Sequence, residues 1–160
     1  MEDLRIVKTK NVLYDTLIKL MEDKSFEEIK VSDICNIALI NRSTFYSHYN
    51  DKYELLLDLI NSLKDTLITN LSKNEHIVNT KKFYMEMIRL ILDHIEEHKK
   101  TYKSIITSNR NSIMVDIILD VAVKDINKRI EIDNINKGDI PTDIIVEFYL
   151  GAVAGVGIEW

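Results

Sequence analysis

The chain has 160 residues, a formal net charge of −5 and a single cysteine, which is enough sequence to bury one or two small cores. One cysteine excludes a disulfide framework, and the acidic balance excludes DNA binding by bulk electrostatic attraction. Since the sequence contains neither a signal peptide nor an apolar run of about 18 residues, we expect a cytoplasmic protein that does not enter a membrane.

Helices are the only regular elements that the sequence predicts. One proline and four glycines interrupt the chain, and no alternating run of β-branched residues is long enough to pair as a strand, so the fold class is predicted to be all-α. In the first helix, apolar residues at helical spacing form one stripe: Leu13, Leu17, Leu20 and Met21. We expect Phe26 and Ile29 in the following loop to pack against the next two helices.

Two short helices joined by a tight turn are predicted between residues 31 and 49. Ser32 is the expected N-cap of the first helix and Asn41 that of the second. In the second helix Phe45 and Tyr49 are four residues apart, so both can pack inward. The side chains that then face outward are Arg42, Ser43, Thr44, Tyr46, Ser47 and His48. A polar and aromatic face of this kind suits a helix in the major groove of DNA, although a solvated amphipathic helix is the alternative.

The second helix also carries a specific motif. It reads Thr44-Phe45-Tyr46-Ser47-His48-Tyr49, with Lys52 after it. Together with the preceding helix and turn, this motif closely resembles the DNA-binding region of the TetR/AcrR family of bacterial transcription regulators. The resemblance implies a homodimer that binds a double-stranded DNA operator, by default as a repressor that a small molecule releases.

The turn departs from the family pattern at one position. The family usually has Ala-Gly where this chain has Ala38-Leu39. Since a left-handed conformation at Leu39 would cost about 1 kcal/mol or more, we expect a slightly re-shaped turn.

The resemblance implies that Tyr46 and Lys52 contact the phosphate backbone, and Arg42 can add a charge there. We expect Ser43, Thr44 and Ser47 to contact the bases, with His48 shared between bases and backbone. Residues 1–52 contain eight Lys or Arg and nine Asp or Glu. DNA affinity must therefore come from the local placement of basic side chains and not from net charge.

The remaining sequence predicts a second, helical domain. Asp51-Lys-Tyr-Glu54 has the form of a capping box and opens a long helix that reaches about Leu71. We predict a helix-turn-helix DNA-binding domain at residues 1–50 and a regulatory and dimerisation domain at 51–160, with 51–71 as the linking helix. Further helices are expected at Phe83–Ile95, Tyr102–Ile106, Ile113–Ile130 and Pro141–Trp160, with a polar linker at 72–80 and a loop at 133–139.

The last of these helices is apolar nearly all round and contains three of the four glycines. Small residues allow another element to pack closely against this helix. Because the resemblance implies dimerisation through the last two long helices, we expect a dimer interface there, with a central core helix as the alternative. The expected interface residues are Ile144, Phe148, Gly151, Ala154, Gly155 and Trp160. Candidates to line a cavity for a small hydrophobic effector are Tyr84, Met87, Tyr102 and Phe148, although such residues also fill ordinary cores.

Catalytic and metal-binding patterns are absent from the sequence. No phosphate-binding loop, Ser/His/Asp order or Cys/His pair is readable, so neither an enzyme nor a cofactor is expected. His94 and His98 are four apart, but their order with Glu96 and Glu97 differs from that of a metalloprotease helix, and we expect surface histidines and no metal site. A helical adaptor that binds a protein partner remains the alternative to a DNA-binding regulator.

Overall fold

A computed structural model of the chain describes residues 4–72, 80–109 and 113–132, together with residues 141, 144, 147, 148 and 151. The regular elements within these ranges are all helical, which confirms the predicted all-α fold. The α-helices are α1 (Leu4–Asp23), α2 (Val31–Ala38), α3 (Arg42–Tyr46), α4 (Lys52–Ser72), α5 (Thr80–Glu97), α6 (Lys99–Asn109) and α7 (Ile113–Ile132). A 3₁₀ turn at Phe26–Glu28 precedes α2.

The chain divides into two compact units. The first comprises Met1–Ile60 and Lys100–Val115, and the second comprises Asn61–Lys99 and Asp116–Trp160. Helix α4 therefore begins in the first unit and ends in the second. The domain boundary after residue 50 stays a prediction. Of the linker predicted at 72–80, residues 72 and 80 are helical, as the end of α4 and the start of α5, and residues 73–79 lie outside the described residues, as does the loop predicted at 133–139.

The core of the first unit follows the predicted apolar pattern. Leu13 and Leu17 are completely buried on α1, and Leu20 and Met21 extend the same stripe. The remaining side chains with less than 2% exposure are Phe26, Ile29, Ile34, Phe45, Leu55 and Leu56. Cys35 is buried among them, and burial raises the pKa of its thiol, which makes it a structural and unreactive side chain.

The start of α2 differs from the prediction. Lys30 is the N-cap and Ser32 lies inside the helix, so the predicted cap at Ser32 is wrong. Asp33 supplies the acceptor in its place, because its carboxylate accepts the backbone N–H of Lys30 at 3.2 Å and the ammonium of Lys24 at 2.8 Å. The hydrogen bond from Lys24, followed by that from Lys30, lowers the pKa of Asp33.

The predicted cap of α4 is present with one change of partner. The Asp51 carboxylate accepts the backbone N–H groups of Tyr53 at 2.8 Å and Glu54 at 2.9 Å. Glu54 reaches back to the backbone N–H of Asn50 at 2.6 Å, one residue before the cap that a standard capping box would use. The start of α4 is thus held by two carboxylates, one that accepts N–H groups of the first turn and one that accepts the N–H before the cap.

The second unit contains the rest of α4 together with α5 and α7. An ion pair between Lys64 and Asp125, 3.3 Å long, joins α4 to α7. The predicted helical stretches at residues 83–95 and 113–130 lie in α5 and α7. Of the last predicted helix, residues 144, 147, 148 and 151 are helical, and the helix as a whole lies outside the described residues. Among the described helices, none is long and apolar enough to cross a membrane.

Candidate nucleic-acid interface

The turn between α2 and α3 sets the direction of α3. Leu39 adopts the left-handed conformation at φ 56° and ψ 39°, and its side chain is 90% exposed. The backbone N–H groups of Leu39 and Ile40 both bond to the carbonyl of Cys35, the latter at 3.1 Å. The expected re-shaping is therefore wrong: the turn keeps the left-handed conformation and accepts the strain of a Cβ there.

Helix α3 is shorter than predicted but buries the predicted side. It ends at Tyr46, although the backbone N–H of Tyr49 still bonds to the carbonyl of Phe45 at 3.0 Å. Phe45 is 0% and Tyr49 4% exposed, as expected from their spacing. The candidate DNA-contacting side chains are exposed at Arg42, Ser43, Tyr46 and Ser47 and half-buried at Thr44 and His48. All six side chains thus have some access to solvent.

Two side chains of this face have contacts within the chain. The Ser47 hydroxyl donates to the carbonyl of Thr44 at 2.7 Å, so its oxygen is left as an acceptor. The ring of Tyr46 lies edge-on to that of Phe45, with 5.4 Å between ring centroids. These contacts hold the exposed face in place before any partner arrives.

A cluster of hydrogen bonds holds Tyr49, on the buried side of the segment that contains α3. The hydroxyls of Tyr14 and Tyr49 both donate to the same Asp58 oxygen at 2.6 Å, and the Lys10 ammonium lies 3.1 Å from it. We call these four residues the Asp58 node. Because Tyr14 and Lys10 lie on α1 and Asp58 on α4, the node ties Tyr49, three residues after the end of α3, to two other helices.

The node also fixes the protonation of its members. Burial acts to raise the pKa of Asp58, but the hydrogen bonds from Tyr14, Tyr49 and Lys10 outweigh it, and the pKa falls below its ordinary value. Burial, reinforced by the bond to Asp58, raises the pKa of the Tyr49 phenol. At neutral pH the node therefore contains a carboxylate that accepts from two neutral phenols.

Lys52 has different partners from those that the sequence predicts. Its ammonium donates to the carbonyls of Phe26 at 2.9 Å, Glu27 at 2.8 Å and Ile29 at 2.8 Å. It also lies 4.9 Å from the centre of the Phe26 ring and 5.4 Å from that of Tyr53. Burial lowers the pKa of Lys52. All three ammonium protons are thus used to hold the 3₁₀ turn against the start of α4.

Neither the Asp58 node nor the contacts of Lys52 were predicted from the sequence, although the Asp58 node left a signal there. Tyr49 was expected to pack inward, and a buried tyrosine hydroxyl needs a partner. Asp58 stands alone as an acid within the apolar stretch from Leu55 to Ile60. An inward tyrosine and an acid in an apolar run therefore indicate a pair, while nothing local identifies the carbonyls that receive Lys52.

The first unit also includes contacts from α6 and the start of α7. The Ser108 hydroxyl donates to the carbonyl of Glu22 at 3.4 Å, and the backbone N–H of Ile113 donates to the Glu27 carboxylate at 2.9 Å. An open cleft of about 300 Å³ is lined by Glu22, Lys103, Ser104, Thr107 and Ser108. Its lining is polar and includes none of the predicted effector-binding residues.

The predicted effector-binding and interface residues differ in their exposure to solvent. Met87 is half-buried, as is Tyr102, whose pKa is raised by burial, and the side chain of Tyr84 lies outside the described residues. Phe148 is 72% exposed, which does not suit the wall of an enclosed cavity. Among the predicted interface residues, Ile144 is 53% exposed and a Cβ at Gly151 would meet no atom within 4 Å. Ala154, Gly155 and Trp160 lie outside the described residues.

The chain is similar to known transcriptional regulators. A family model of the TetR type, described as "Transcriptional regulator C-terminal region", matches residues 84–160. An uncharacterised helix-turn-helix transcriptional regulator, YxbF of Bacillus subtilis, is 37% identical over 59 residues. That match spans 36% of this chain and 16% of the relative's length.

Solved structures extend the similarity over nearly the whole chain. Lin0861 of Listeria innocua superposes with a TM-score of 0.71 at 24% identity, covering 98% of this chain and 82% of that one. A TetR transcriptional regulator of Streptococcus agalactiae superposes with a TM-score of 0.62 at 28% identity, covering 98% and 84%. The C-terminal family match and these superpositions show that the chain is similar to TetR-type transcriptional regulators and shares their helical fold.

Proposed function

We propose that the protein is a DNA-binding repressor whose α3 enters the major groove of an operator. The observation that carries the proposal is a row of accessible polar and aromatic side chains on α3, backed by the buried Phe45 and Tyr49 and by the Asp58 node. A recognition helix needs this combination, since base contacts must be both exposed and held at a fixed angle.

The proposed contacts divide between backbone and bases. Arg42, Tyr46 and Lys52 are assigned to phosphates, and Ser43, Thr44, Ser47 and His48 to the base edges, with His48 shared. Hydroxyl groups can accept from or donate to either kind of base pair, so the combination and not one residue sets the preference. Among these, Lys52 must exchange at least one carbonyl partner to reach a phosphate.

A mobility-shift assay with the protein's own upstream DNA tests the base contacts. Thr44→Ala should reduce discrimination among operator variants by about 1 to 3 kcal/mol if Thr44 reads a base. Thr66→Ala is the matched control, because Thr66 is an exposed threonine on α4 whose hydroxyl donates to the carbonyl of Ser62 at 2.9 Å. An unchanged preference in the Thr44 variant would exclude direct readout by that residue.

The same assay separates the regulator from the adaptor alternative. The net charge of −5 favours a protein partner over DNA. If neither upstream nor unrelated DNA is shifted at low salt, where phosphate contacts are strongest, the DNA-binding proposal fails. Binding that is specific for the upstream fragment and weakens steeply with salt supports it.

Dimerisation is the second part of the proposal. Two recognition helices related by a two-fold axis would address half-sites about one helical turn or somewhat more apart. The proposed interface lies on the last helix and uses Ile144, Phe148, Gly151, Ala154, Gly155 and Trp160. Exposure of Ile144 and Phe148 supports it, because large apolar side chains on a surface are suited to burial by a partner.

Gly151→Leu tests this interface. Since a Cβ at Gly151 would meet nothing within 4 Å in one protomer, the variant should fold. In a dimer seam the leucine would overpack, at about 1 to 3 kcal/mol per subunit. Sedimentation and operator binding should show a folded monomer with weakened binding. A wild-type protein that is monomeric at micromolar concentration yet binds its operator tightly would contradict the proposal.

Release by an effector is the third part. We propose that a small hydrophobic molecule binds within the second compact unit, where Tyr84 and Met87 of α5 are the candidate contacts, and that its binding shifts α4. Screening apolar compounds for a rise in melting temperature, followed by operator binding with each hit, tests this step. Compounds that raise the melting temperature but leave operator binding unchanged would argue against release.

A further inference from the structure

The end of α5 carries a group of metal-ligating side chains that the TetR motif does not use. His94 and His98 are one helical turn apart, and their ring centroids are 4.6 Å from each other. Glu97 lies on the same side, and the ligand atoms of the three residues are all within 4.8 Å of one another. We propose that His94, Glu97 and His98 form a binding site for a divalent transition-metal ion of the zinc type.

The donor set suits this class of ion. Zinc prefers imidazole nitrogen and carboxylate oxygen at about 2.0 to 2.2 Å, in tetrahedral geometry. Ligands on one tetrahedral ion are about 3.4 Å apart, so the ligand atoms, which lie within 4.8 Å of one another, need to close by up to about 1.4 Å through rotations about the side-chain bonds. Water would complete the coordination. Calcium and magnesium would not select this site, since they prefer oxygen ligands.

The surroundings favour a cation at this position. His94 and Glu97 lie in the last turn of α5 and His98 directly follows it, where the negative end of the helix dipole attracts positive charge. The neighbouring acids have other partners: Asp93 is 3.5 Å from Arg89, and Glu96 is 3.3 Å from Lys99. Glu97 makes no ion pair with a lysine or arginine in the described part of the chain, so its carboxylate is available to a metal ion.

The spacing alone indicated two surface histidines, because the order His94-Ile-Glu-Glu-His98 differs from the metalloprotease pattern with Glu directly after the first His. A related order occurs in zinc peptidases that use the Glu as a base. Here no hydrolysis is proposed, and the carboxylate acts as a third ligand on a helix surface.

Metal binding at this position would fasten the last turn of α5. The backbone N–H of His98 already bonds to the carbonyl of His94 at 3.2 Å, and an ion shared by both rings would close the same turn a second time. Helix α6 begins at Lys99, directly after the site. A bound ion should therefore raise the melting temperature, since it binds the folded helix and not the unfolded chain.

Titration of the whole, chelator-treated protein with Zn²⁺ alone tests the proposal. We expect one equivalent to bind, with a loss of affinity of about tenfold or more in His94→Gln and in His98→Gln, and a smaller loss in Glu97→Gln. Glu96→Gln is the matched control, because it removes a neighbouring carboxylate that pairs with Lys99. Helix content by circular dichroism should be the same in all four variants.

Cobalt provides an independent readout. Co²⁺ in place of Zn²⁺ should give the intense visible absorption of a tetrahedral site, and both histidine variants should lose it. Zinc affinity that is unchanged in the His94→Gln/His98→Gln double variant would overturn the proposal, because the ion would then bind elsewhere. Absence of saturable binding by the wild-type protein would overturn it as well.

Discussion

The two compact units use their polar side chains in different ways. In the first unit, Tyr14 and Tyr49 reach Asp58 from 44 and 9 residues away, and Lys52 reaches carbonyls 23 to 26 residues away. In the second unit, the described ion pairs of α5, of α7 and of Lys99 at the start of α6 join residues three or four apart: Arg89 with Glu86 and Asp93, Lys99 with Glu96, and Lys124 with Asp120. Lys64–Asp125, which joins α4 to α7, is the exception.

This difference separates tertiary from local stabilisation. A bond between distant elements fixes the position of one element against another, whereas a pair on one helix surface stabilises only that helix, by a few tenths of a kcal/mol. The polar contacts that hold the segment containing α3 join distant elements. Single polar substitutions there should therefore change both stability and DNA binding, and those on the surface of α5 should change neither by much.

The largest effect is expected at Lys52. Lys52→Met removes three charge-assisted hydrogen bonds to the 3₁₀ turn, so the free energy of unfolding should fall by about 2 to 4 kcal/mol. Chemical denaturation measures the loss. Lys8→Met is the control, since Lys8 is an exposed lysine on α1.

Salt dependence of operator binding then distinguishes the two roles of Lys52. If its ammonium contacts a phosphate, the variant should reduce the slope of log affinity against log salt by about one. An unaltered stability together with a reduced slope would mean that the carbonyl contacts contribute little. A reduced stability with an unaltered slope assigns the ammonium to the 3₁₀ turn alone.

The next effect is expected at the Asp58 node, where two tyrosines form a matched pair. Tyr49→Phe and Tyr14→Phe each remove one hydroxyl from the same Asp58 oxygen, and both donors are 2.6 Å from it. Each should lower the free energy of unfolding by about 1 to 2 kcal/mol. Tyr49 lies three residues after the end of α3, whereas Tyr14 lies on α1, so Tyr49→Phe should weaken operator binding more than Tyr14→Phe does. Equal effects on binding would show that the node contributes stability alone.

The stability that this node supplies should depend on pH in one direction. The pKa of Asp58 in the folded chain lies below its ordinary value of 3.8, so the folded state favours the carboxylate. The contribution is complete well above that value and is lost as pH falls through the folded-state pKa. The stability difference between wild type and Asp58→Asn should therefore shrink as pH is lowered from 7 towards 3. A constant difference over this range would exclude the charge of Asp58 as its source.

The sequence predicted well those features that depend on residues close together in the chain. The buried stripe through Leu13 and Leu17 and the inward side of α3 follow from helical spacing, which a few residues define. The partners of Asp58 and Lys52 could not be predicted in this way, because a hydrogen bond between Tyr14 and Asp58 depends on how α1 and α4 pack. The predicted N-cap of α2 was wrong for a related reason, because the Asp33 carboxylate is held by Lys24, which lies outside the helix.

A smaller effect, in the stabilising direction, is expected at the turn. Leu39 has a positive φ of 56° and a side chain that is 90% exposed, so Leu39→Gly relieves strain and loses almost no buried area. The larger entropy of glycine in the unfolded chain offsets part of this gain, and we expect a net increase of about 0.5 to 1 kcal/mol. Leu39→Ala keeps the Cβ and should give no increase. A glycine variant that is less stable than wild type would show that the leucine side chain makes a compensating contact.

The smallest effect on stability is expected on α5, where the ion pairs are local. Arg89 lies 3.0 Å from Glu86 and 3.5 Å from Asp93, and its side chain is 59% exposed. Arg89→Gln keeps a good helix former and removes both ion pairs, so the free energy of unfolding should fall by less than about 0.5 kcal/mol. Because exposed pairs are screened, the difference should disappear in about 1 M salt. A loss above about 1 kcal/mol that persists in salt would mean that Arg89 also fixes tertiary structure, and the distinction between the two units would then fail on this helix.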